Sequence, residues 1–312
     1  MIVALPTDPA VLNHPEYKAR GYTIGAKAIA VRVKTLFSRL GRHWSYLILS
    51  AQNSRGTDAE YIAFPWDKIF PIPPESKIDT RTGAAGFLQA TTVLTFMNEA
   101  YEVKKGDTIL IHTVAGGFGL IAAQYAKSKG ATVIGTTSTD AKAELAKSHG
   151  ADHVILYTKE NTVQKVLEIT NGVGVDAVYD GVGKDTYVSL SQSRFVDGAL
   201  ISMSRFEGNF QLLKRKGTLV SFGNASGPVP PFSPLKLMEK NLKLIRPVVT
   251  NYMVTPEEGT HYSKLFFDVV GKGVVKINIF HEYPFTAEGV RQAQTDLPRG
   301  KSTGKLILKI GD

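Results

Sequence analysis

The sequence predicts an α/β fold in which a doubly wound parallel sheet interrupts a smaller β domain. First, short apolar strands alternate with helices between Thr108 and Gly223. Second, the first of these strands leads into a glycine loop, Ala115–Gly119, and then directly into a helix. Third, the segments on either side contain short strands broken by prolines. Strands that alternate with helices of this length form a parallel sheet with right-handed crossovers.

Up to Asp180, the elements of the parallel block follow one another without long loops. Strands are predicted at Thr108–His112, Gly130–Gly135, Gly150–Ile155, Val175–Asp180 and Gly217–Gly223. Helices are predicted at Phe118–Lys129, Thr139–His149 and Asn161–Thr170. The regular spacing indicates one continuous sheet.

The flanking segments predict the second, irregular domain. Strands are expected at Ala59–Pro65, Lys68–Ile72, Ile277–Tyr283 and Gly304–Ile310, and helices at Thr82–Tyr101, Pro256–Gly271 and Thr286–Asp296, with a weak helix near Ala26–Leu40. The expected domains are residues 1–90, 91–246 and 247–312, of which the first and last form one β domain. A chain of 312 residues is long enough for two domains of ordinary size.

Composition excludes several classes of protein. The chain has no cysteine, which removes disulfides, iron–sulfur clusters, thiolate nucleophiles and cysteine-bound zinc. The formal net charge is +9, but the basic residues are scattered, so nucleic-acid binding is not expected. Met1–Asn13 lacks the pattern of a secretory signal, and no run of ~18 apolar residues predicts a membrane span. The expected compartment is the cytosol.

The glycine loop indicates a site for a pyrophosphate. A strand that ends at glycines and restarts as a helix leaves backbone N–H groups free to bind phosphate oxygens. Gly116 and Gly119 take the second and third positions of the dinucleotide-binding glycine pattern, Gly117 lies between them, and Val114 stands at the first. An ordinary strand–helix turn is the alternative, and the alternating strands favour dinucleotide binding.

The end of the second predicted strand indicates which dinucleotide. Enzymes that use NAD commonly carry an acidic residue there, but Gly135–Thr139 contains no carboxylate. Ser138 supplies a hydroxyl and Lys142 an ammonium one helical turn later, a pair that suits a 2′-phosphate. The cofactor expected is therefore NADPH. The alternative is a helix cap at Ser138 or Thr139 beside a solvated lysine.

Several segments together resemble the zinc-free NADPH:quinone oxidoreductases of the zeta-crystallin type, within the medium-chain dehydrogenase/reductase superfamily. The matching segments are Tyr101–Asp107, Ala115–Gly119, Gln124–Lys127, Gly130–Thr136, Gly174–Asp180, Gly217–Gly227 and Thr303–Lys305. The resemblance spans Gly56–Asp312. It implies a Rossmann domain, an incomplete GroES-like catalytic β domain, reduction of a small-molecule quinone, and a homodimer that pairs near Leu242–Val248.

The resemblance also implies which residues hold the cofactor. They are Gly116, Gly117, Phe118 and Gly119 at the pyrophosphate, Ser138, Lys142 and Tyr157 at the 2′-phosphate, and Thr92, Gly223, Asn224, Ser226 and Lys305 elsewhere along the dinucleotide. Gln89 matches a family position near the nicotinamide and the substrate. No catalytic side chain is assigned, because a quinone oxygen can take its proton from water. His112 is expected to be a packed residue.

Two segments depart from the family pattern. The opening part of the family's catalytic domain has no counterpart in Met1–Arg55, which predicts a slower reductase. Ser191–Phe210 resembles an insertion of twenty residues. The family's C-terminal arginine falls on Gly300, beside Arg299. Two further functions stay open: NADPH-dependent reduction of α,β-unsaturated carbonyls, and NADPH binding without turnover.

Overall fold

The computed structural model describes residues 29–31, 45–48, 69–73, 75–184, 194–196, 199–201, 206–296 and 302–309. The chain divides into two compact units. One contains Met1–Thr91 and Tyr252–Asp312, and the other contains Thr92–Asn251.

The second unit is built on a six-stranded sheet in which every neighbouring pair is parallel. Its strands are β4 (Thr108–Ile111), β5 (Thr132–Thr137), β6 (His153–Leu156), β7 (Val175–Asp180), β10 (Leu213–Ser221) and β11 (Lys243–Ile245). Three helices connect the first four strands: α2 (Gly117–Ser128), α3 (Asp140–Ser148) and α4 (Thr162–Ile169). The predicted doubly wound α/β class is confirmed, with β11 added at the edge.

The strand order β11-β10-β7-β4-β5-β6 places a switch point at the centre of the sheet. The chain runs outward from β4 to β6, then returns to add β7 on the other side of β4. Connections therefore leave β4 and β7 in opposite directions, and their carboxyl ends form the crevice in which open α/β sheets bind ligands. Both strands are almost wholly buried, as expected for a sheet covered on both faces.

Part of the predicted insertion belongs to the hydrophobic core of this unit. Helix α5 (Gly208–Leu212) leads directly into β10. Phe206 and Phe210 are buried, and each ring packs on Phe232 with centroids 5.9 Å and 5.5 Å apart. The described end of Ser191–Phe210 is thus integrated in the fold. Short antiparallel strands β8 (Arg194–Val196) and β9 (Ala199–Ile201) precede it, and its remaining residues lie outside the described ones.

Two lysines fasten this core segment to the rest of the unit. Lys236 forms an ion pair with the buried Glu207. The Lys240 ammonium donates to the backbone oxygens of Gln211 at 3.1 Å and Leu213 at 2.8 Å, at the carboxyl end of α5. Burial lowers the pKa of Lys240. A cation at this end of a helix satisfies carbonyls that have no partner within the helix.

The described part of the first unit contains two small sheets. Strands β1 (Ile29–Val31), β2 (Ser45–Ile48) and β3 (Ile69–Ile72) are antiparallel neighbours, and β12 (Ile279–Pro284) pairs in parallel with β13 (Lys305–Lys309). The weak helix expected at Ala26–Leu40 is wrong at residues 29–31, which are held in a strand by pairing with β2. The rest of that helix, and the strand expected at Ala59–Pro65, lie outside the described residues.

Three helices complete the described part of this unit. Helix α1 (Thr80–Thr95) ends in a π-helical turn, Phe96–Ala100, and continues into the second unit. Helix α6 (Pro256–Gly271) begins with a capping box in which Thr255 and Glu258 exchange hydrogen bonds. Such a box satisfies donors that a helix N-terminus otherwise leaves unpaired. Helix α7 (Ala287–Asp296) lies between β12 and β13 in the chain.

Candidate functional site

The glycine loop presents free backbone donors at the switch point. Gly116 is the extended N-cap of α2, with φ −82° and ψ 173°. Within the described part of the chain, no oxygen accepts a hydrogen bond from the N–H groups of Gly117, Phe118 or Gly119. These donors stand at the positive end of a 12-residue helix, so the loop is suited to an anion.

Val114 explains why the loop works without a glycine at the first position of its pattern. A Cβ on Gly119 would lie 2.5 Å from the Val114 backbone oxygen, and one on Gly135 would lie 2.4 Å from Val114 Cγ1. The valine therefore fills the space that two glycines leave, one in α2 and one in β5. Glycine is required at both of these positions because the approach is too close for any side chain.

The residue before Val114 has an unusual backbone conformation. Thr113 has φ +52°, in the left-handed region that β-branched residues rarely adopt. Its hydroxyl donates to the His112 carbonyl at 2.7 Å, and its own carbonyl accepts from the Gly116 N–H at 2.8 Å. The loop thus begins at a strained residue that its neighbours hold in place.

Ser138, Lys142 and Tyr157 lie at the carboxyl ends of two adjacent strands. Ser138 directly follows β5, Lys142 is in the first turn of α3, and Tyr157 directly follows β6. The Tyr157 N–H donates to the Thr137 carbonyl at 3.1 Å. The Thr158 hydroxyl donates to the Ser138 carbonyl at 2.9 Å. The two loops are therefore hydrogen-bonded to each other.

The cap of α3 is a residue other than Ser138. The Thr139 hydroxyl accepts from the Lys142 N–H at 3.4 Å, so Thr139 is the N-cap. The Lys142 side chain is partly buried. The helix is therefore capped by Thr139, and the cap does not use the Ser138 hydroxyl. The capping hydroxyl and the Lys142 ammonium belong to separate side chains.

An acidic residue near this group was missed by sequence reasoning. Asp140, the first residue of α3, forms a 2.8 Å ion pair with Lys159 in the loop after β6. Hydrogen bonding to Lys159 lowers the pKa of Asp140. The sequence pattern could have indicated it, since Asp140 is the next residue after the acid-free stretch. The pair opposes the repulsion that Asp140 alone would exert on a bound phosphate.

The loops after β7 and β10 interlock. A Cβ on Gly223 would lie 2.4 Å from the Gly181 carbonyl oxygen, so this contact requires glycine. The Ser226 hydroxyl donates to the Val182 carbonyl at 2.8 Å, while Asn224 is exposed. Gly223 and Ser226 thus hold the two loops together, and Asn224 is the member of the predicted trio whose side chain faces solvent.

Arg246 is a second residue that sequence reasoning missed. Its guanidinium donates to the Ser221 hydroxyl at 2.9 Å and to the Gly223 carbonyl at 3.1 Å. The side chain therefore fixes the loop after β10 from the strand β11 side. Arg246 directly follows the short strand β11, and no motif in the sequence marks it.

An aromatic cluster surrounds the start of α2. The Phe118 and Phe222 ring centroids are 4.3 Å apart, and Phe96 lies 5.6 Å from Phe222. Phe118 and Phe222 are partly exposed. Phe118 was predicted to contact the cofactor. Its ring packs on these neighbours, and its backbone N–H is among the free donors of the loop.

The remaining predicted residues are divided between the two units. Thr92 lies in the part of α1 that belongs to the second unit, and it is partly buried. Lys305 opens β13 in the first unit, where its N–H donates to the Asn278 carbonyl at 2.9 Å. The Gln89 Oε1, also in the first unit, is buried and has no hydrogen-bond partner among the described residues. Arg299 and Gly300 lie outside the described residues.

A buried polar cluster lies directly beneath the glycine loop. His112, Asn209 and Asp180 are each at most 2% exposed. The His112 ring nitrogens lie 3.0 Å from Thr136 Oγ1 and 2.8 Å from Asn209 Oδ1, and Asn209 Nδ2 donates to Asp180 at 2.9 Å. Burial lowers the pKa of His112, although Asp180 and Asn209 oppose the shift. His112 is packed, as the sequence predicted.

Neither metal binding nor membrane insertion is indicated by the described residues. They include no group of three histidine, aspartate or glutamate side chains that could hold a metal ion. None of their helices is long and apolar enough to cross a membrane.

The sheet order and the glycine loop define a Rossmann-type dinucleotide-binding domain. Comparison with known sequences agrees: the family described as zinc-binding dehydrogenase matches residues 117–204. The quinone oxidoreductase of Salmonella typhimurium is 35% identical over 262 residues, which cover 84% of this chain and 74% of that protein. Quinone oxidoreductase 1 of Escherichia coli is 33% identical over the same shares.

Solved structures give the same result. The crystal structure of Escherichia coli quinone oxidoreductase complexed with NADPH superposes with a TM-score of 0.78 and 32% identity, covering 92% of this chain and 82% of that one. The chain therefore belongs to the quinone oxidoreductase family of the medium-chain dehydrogenase/reductase superfamily. The resemblance read from the sequence is confirmed.

Proposed function

We propose that this protein is an NADPH-dependent quinone reductase. The observation that carries the proposal is the set of free N–H donors at Gly117, Phe118 and Gly119, at the switch point of a doubly wound sheet. The NADPH complex of the Escherichia coli relative supports the choice of cofactor. The names of the Salmonella and Escherichia relatives support a quinone as the substrate.

The residues present fit the cofactor. Gly119 and Gly135 pack closely against Val114, and the glycines of the loop place no side chain over its backbone, so a pyrophosphate can approach the helix N-terminus. Ser138, Lys142 and Tyr157 are proposed to hold the 2′-phosphate, since Ser138 and Tyr157 lie in the two loops joined by the Thr158 bond and Lys142 is in the first turn of the helix that follows Ser138. Asn224 is proposed to face the nicotinamide amide, with Gly223 and Ser226 supporting its loop.

When bound, NADPH supplies the reducing equivalents. The work left to the protein is to bind and orient the dinucleotide and to limit the access of water. The loop donors fix the pyrophosphate, and the interlocked loops after β7 and β10 fix the backbone on which Asn224 stands. No side chain is assigned as an acid, because a reduced quinone oxygen can take its proton from water. Thr92 and Lys305 are proposed as further contacts.

A second candidate function is reduction of an activated carbon–carbon double bond. It is favoured by a specific relative, the 2-haloacrylate reductase of Burkholderia sp., which is 33% identical over 226 residues, 71% of this chain and 61% of that protein. The crystal structure of a 2-haloacrylate reductase superposes with a TM-score of 0.71 and 26% identity. Activity on a small enone, in the absence of quinone activity, would select it.

We further propose a homodimer that forms at the edge of the sheet. Strand β11 has no second strand neighbour among the described residues. Leu244 and Val248 are 38% and 41% exposed, and Leu235 and Met238 are more exposed still. An open strand edge beside apolar side chains suits pairing across a two-fold axis. Light scattering at micromolar concentration should give twice the chain mass, and a monomer would contradict the proposal.

The cytosol, which holds a pool of NADPH, is the proposed compartment.

The test of the proposed function is a steady-state assay on the purified chain. NADPH oxidation is followed with an ortho-naphthoquinone, a small enone or no acceptor. We expect NADPH oxidation that depends on the quinone. Its rate should be lower than that of a full-length relative, because Met1–Arg55 does not match the family's N-terminal segment. Gly119→Ala, which forces a Cβ against the Val114 backbone, should abolish the oxidation. Turnover of the enone alone would select the second candidate, and NADPH binding without any turnover would indicate an idle binding protein.

A further inference from the structure

The side chains of the buried polar cluster form a row of hydrogen bonds in which the donors all point the same way. Asp180 is a carboxylate, which accepts hydrogen bonds, so the Asn209 group 2.9 Å from its Oδ2 must be the amide NH₂. The amide oxygen then faces His112 Nε2 at 2.8 Å, and this nitrogen must donate. Burial lowers the pKa of His112, which favours the neutral ring, and with its proton on Nε2 the Nδ1 atom accepts from the Thr136 hydroxyl at 3.0 Å.

At each end of this row of hydrogen bonds, a side chain accepts a hydrogen bond from the backbone of a loop at the switch point. At one end, the oxygen of the Thr136 hydroxyl lies 3.4 Å from the Thr113 N–H, at the strained residue where the glycine loop begins. At the other end, Asp180 Oδ1 accepts from the N–H groups of Val182 at 2.7 Å and Gly183 at 3.3 Å. The buried hydrogen bonds thus connect the loop after β4 to the loop after β7.

We propose that Asn209 and Thr136 are positioning residues for the dinucleotide, acting through His112 on the start of the glycine loop. Neither residue needs to touch the cofactor. They hold Thr113 in its strained conformation, and the free N–H groups of Gly117–Gly119 are aimed by the turn that follows. The inference rests on the proposed NADPH site, but it concerns contacts within this chain that exist without a ligand.

The proposal also gives a role to the end of the segment that departs from the family pattern. Asn209 is carried by α5, whose position is set by the packing of Phe206 and Phe210 and by the Lys236–Glu207 ion pair. Asn209 is 97 residues from His112 in sequence, and its contact is made possible by this packing. The segment is therefore part of the support of the cofactor loop.

The experiment compares Thr136→Val, which is nearly isosteric and lacks the hydroxyl, with Thr136→Ser, which keeps it. Asn209→Leu tests the other end of the row of hydrogen bonds. Thr170→Val is the matched control, because the Thr170 hydroxyl, like that of Thr136, donates one hydrogen bond and accepts one from a backbone N–H, but it follows α4 and supports the turn to β7. Thermal stability, the Kd for NADPH, and hydrogen exchange of the loop in the free protein are measured for each variant.

We expect Thr136→Val and Asn209→Leu to bind NADPH about tenfold more weakly, the change that one buried hydrogen bond corresponds to. Their loops should exchange faster at Thr113–Gly119 even without cofactor. Thr136→Ser should stay near wild type in both measurements. Thr170→Val should lose stability without a change in the Kd. Heteronuclear NMR of the wild type should show His112 protonated at Nε2 only.

Unchanged loop exchange in both Thr136→Val and Asn209→Leu would overturn the proposal and leave the row of hydrogen bonds a stabilising feature only. A loss of NADPH affinity in Thr170→Val as large as in Thr136→Val would also overturn it. If Asn209→Leu does not fold, the comparison of valine with serine at position 136 still decides. If the wild type does not bind NADPH, the proposed function fails, and loop exchange still tests the positioning role separately.

Discussion

Lys142 is the side chain on which the choice between NADPH and NADH is proposed to depend most. We expect Lys142→Ala to weaken NADPH about tenfold and to leave NADH nearly unchanged, because the lost contact is one charge-assisted bond to phosphate. Fluorescence titration of both dinucleotides measures the effect.

Lys147→Ala is the matched control, since Lys147 lies in the last turn of the same helix and pairs with Glu144. It should leave both affinities unchanged. Equal weakening of NADPH and NADH by Lys142→Ala would mean that the lysine acts through its general field or through α3, and that its assignment to the 2′-phosphate is wrong.

His112 predicts a pH dependence of folding stability. Burial lowers its pKa in the folded protein below the ordinary value of about 6.5, which the unfolded chain should show. Below that value the unfolded chain binds more protons than the folded one, so stability falls as the pH falls. The contribution approaches about 1.4 kcal/mol per pH unit.

Urea denaturation between pH ~5 and ~8 measures this slope, in wild type and in His112→Gln. The variant should be less stable throughout, but its stability should fall less steeply below pH ~6.5 because the titrating group is gone. An identical slope in the two proteins would show that folding does not lower the pKa of His112.

At the scale of single elements, the short segment of residues 206–212, which ends in the five-residue helix α5, is expected to be essential to the core. Phe206 is 1% exposed and contacts two other phenylalanine rings, so Phe206→Ala should destabilise the protein by about 3–5 kcal/mol. Phe280, 44% exposed on β12, is the matched control and should change stability little. Similar denaturation midpoints for the two variants would show that the segment is not a true part of the core.

The sequence was most informative about elements whose pattern is local. Val175–Asp180 and Pro256–Gly271 have the predicted bounds, since apolar runs and a proline at the helix start define them. The strand expected at Gly130 instead begins at Thr132 because Gly130 has φ +84° and closes the preceding turn. Helix α5 was not predicted, because five residues carry no periodic signal and tertiary packing holds them.

For the whole molecule, the candidate site likewise combines residues that a local sequence pattern reveals with residues that only the folded structure brings together. The glycine loop could be found from sequence because its residues are consecutive. The Asn209–His112 contact could not, since it joins residues 97 positions apart through a segment without a family pattern. The Asp140–Lys159 pair was missed because Asp140 begins α3 and Lys159 lies in the loop after β6, and only the pairing of β5 with β6 brings the two together. Side-chain pairs across a sheet depend on register that the sequence does not state.

The central claim is that the second unit is built to hold NADPH. The most direct measurement is an equilibrium titration of the purified chain with NADPH and with NADH, followed by intrinsic fluorescence. Ser138, Lys142 and the pairing of Asp140 with Lys159 predict that NADPH binds at least about tenfold more tightly, which is about 1.4 kcal/mol. Equal affinities for the two dinucleotides, or no binding of either, would contradict the account.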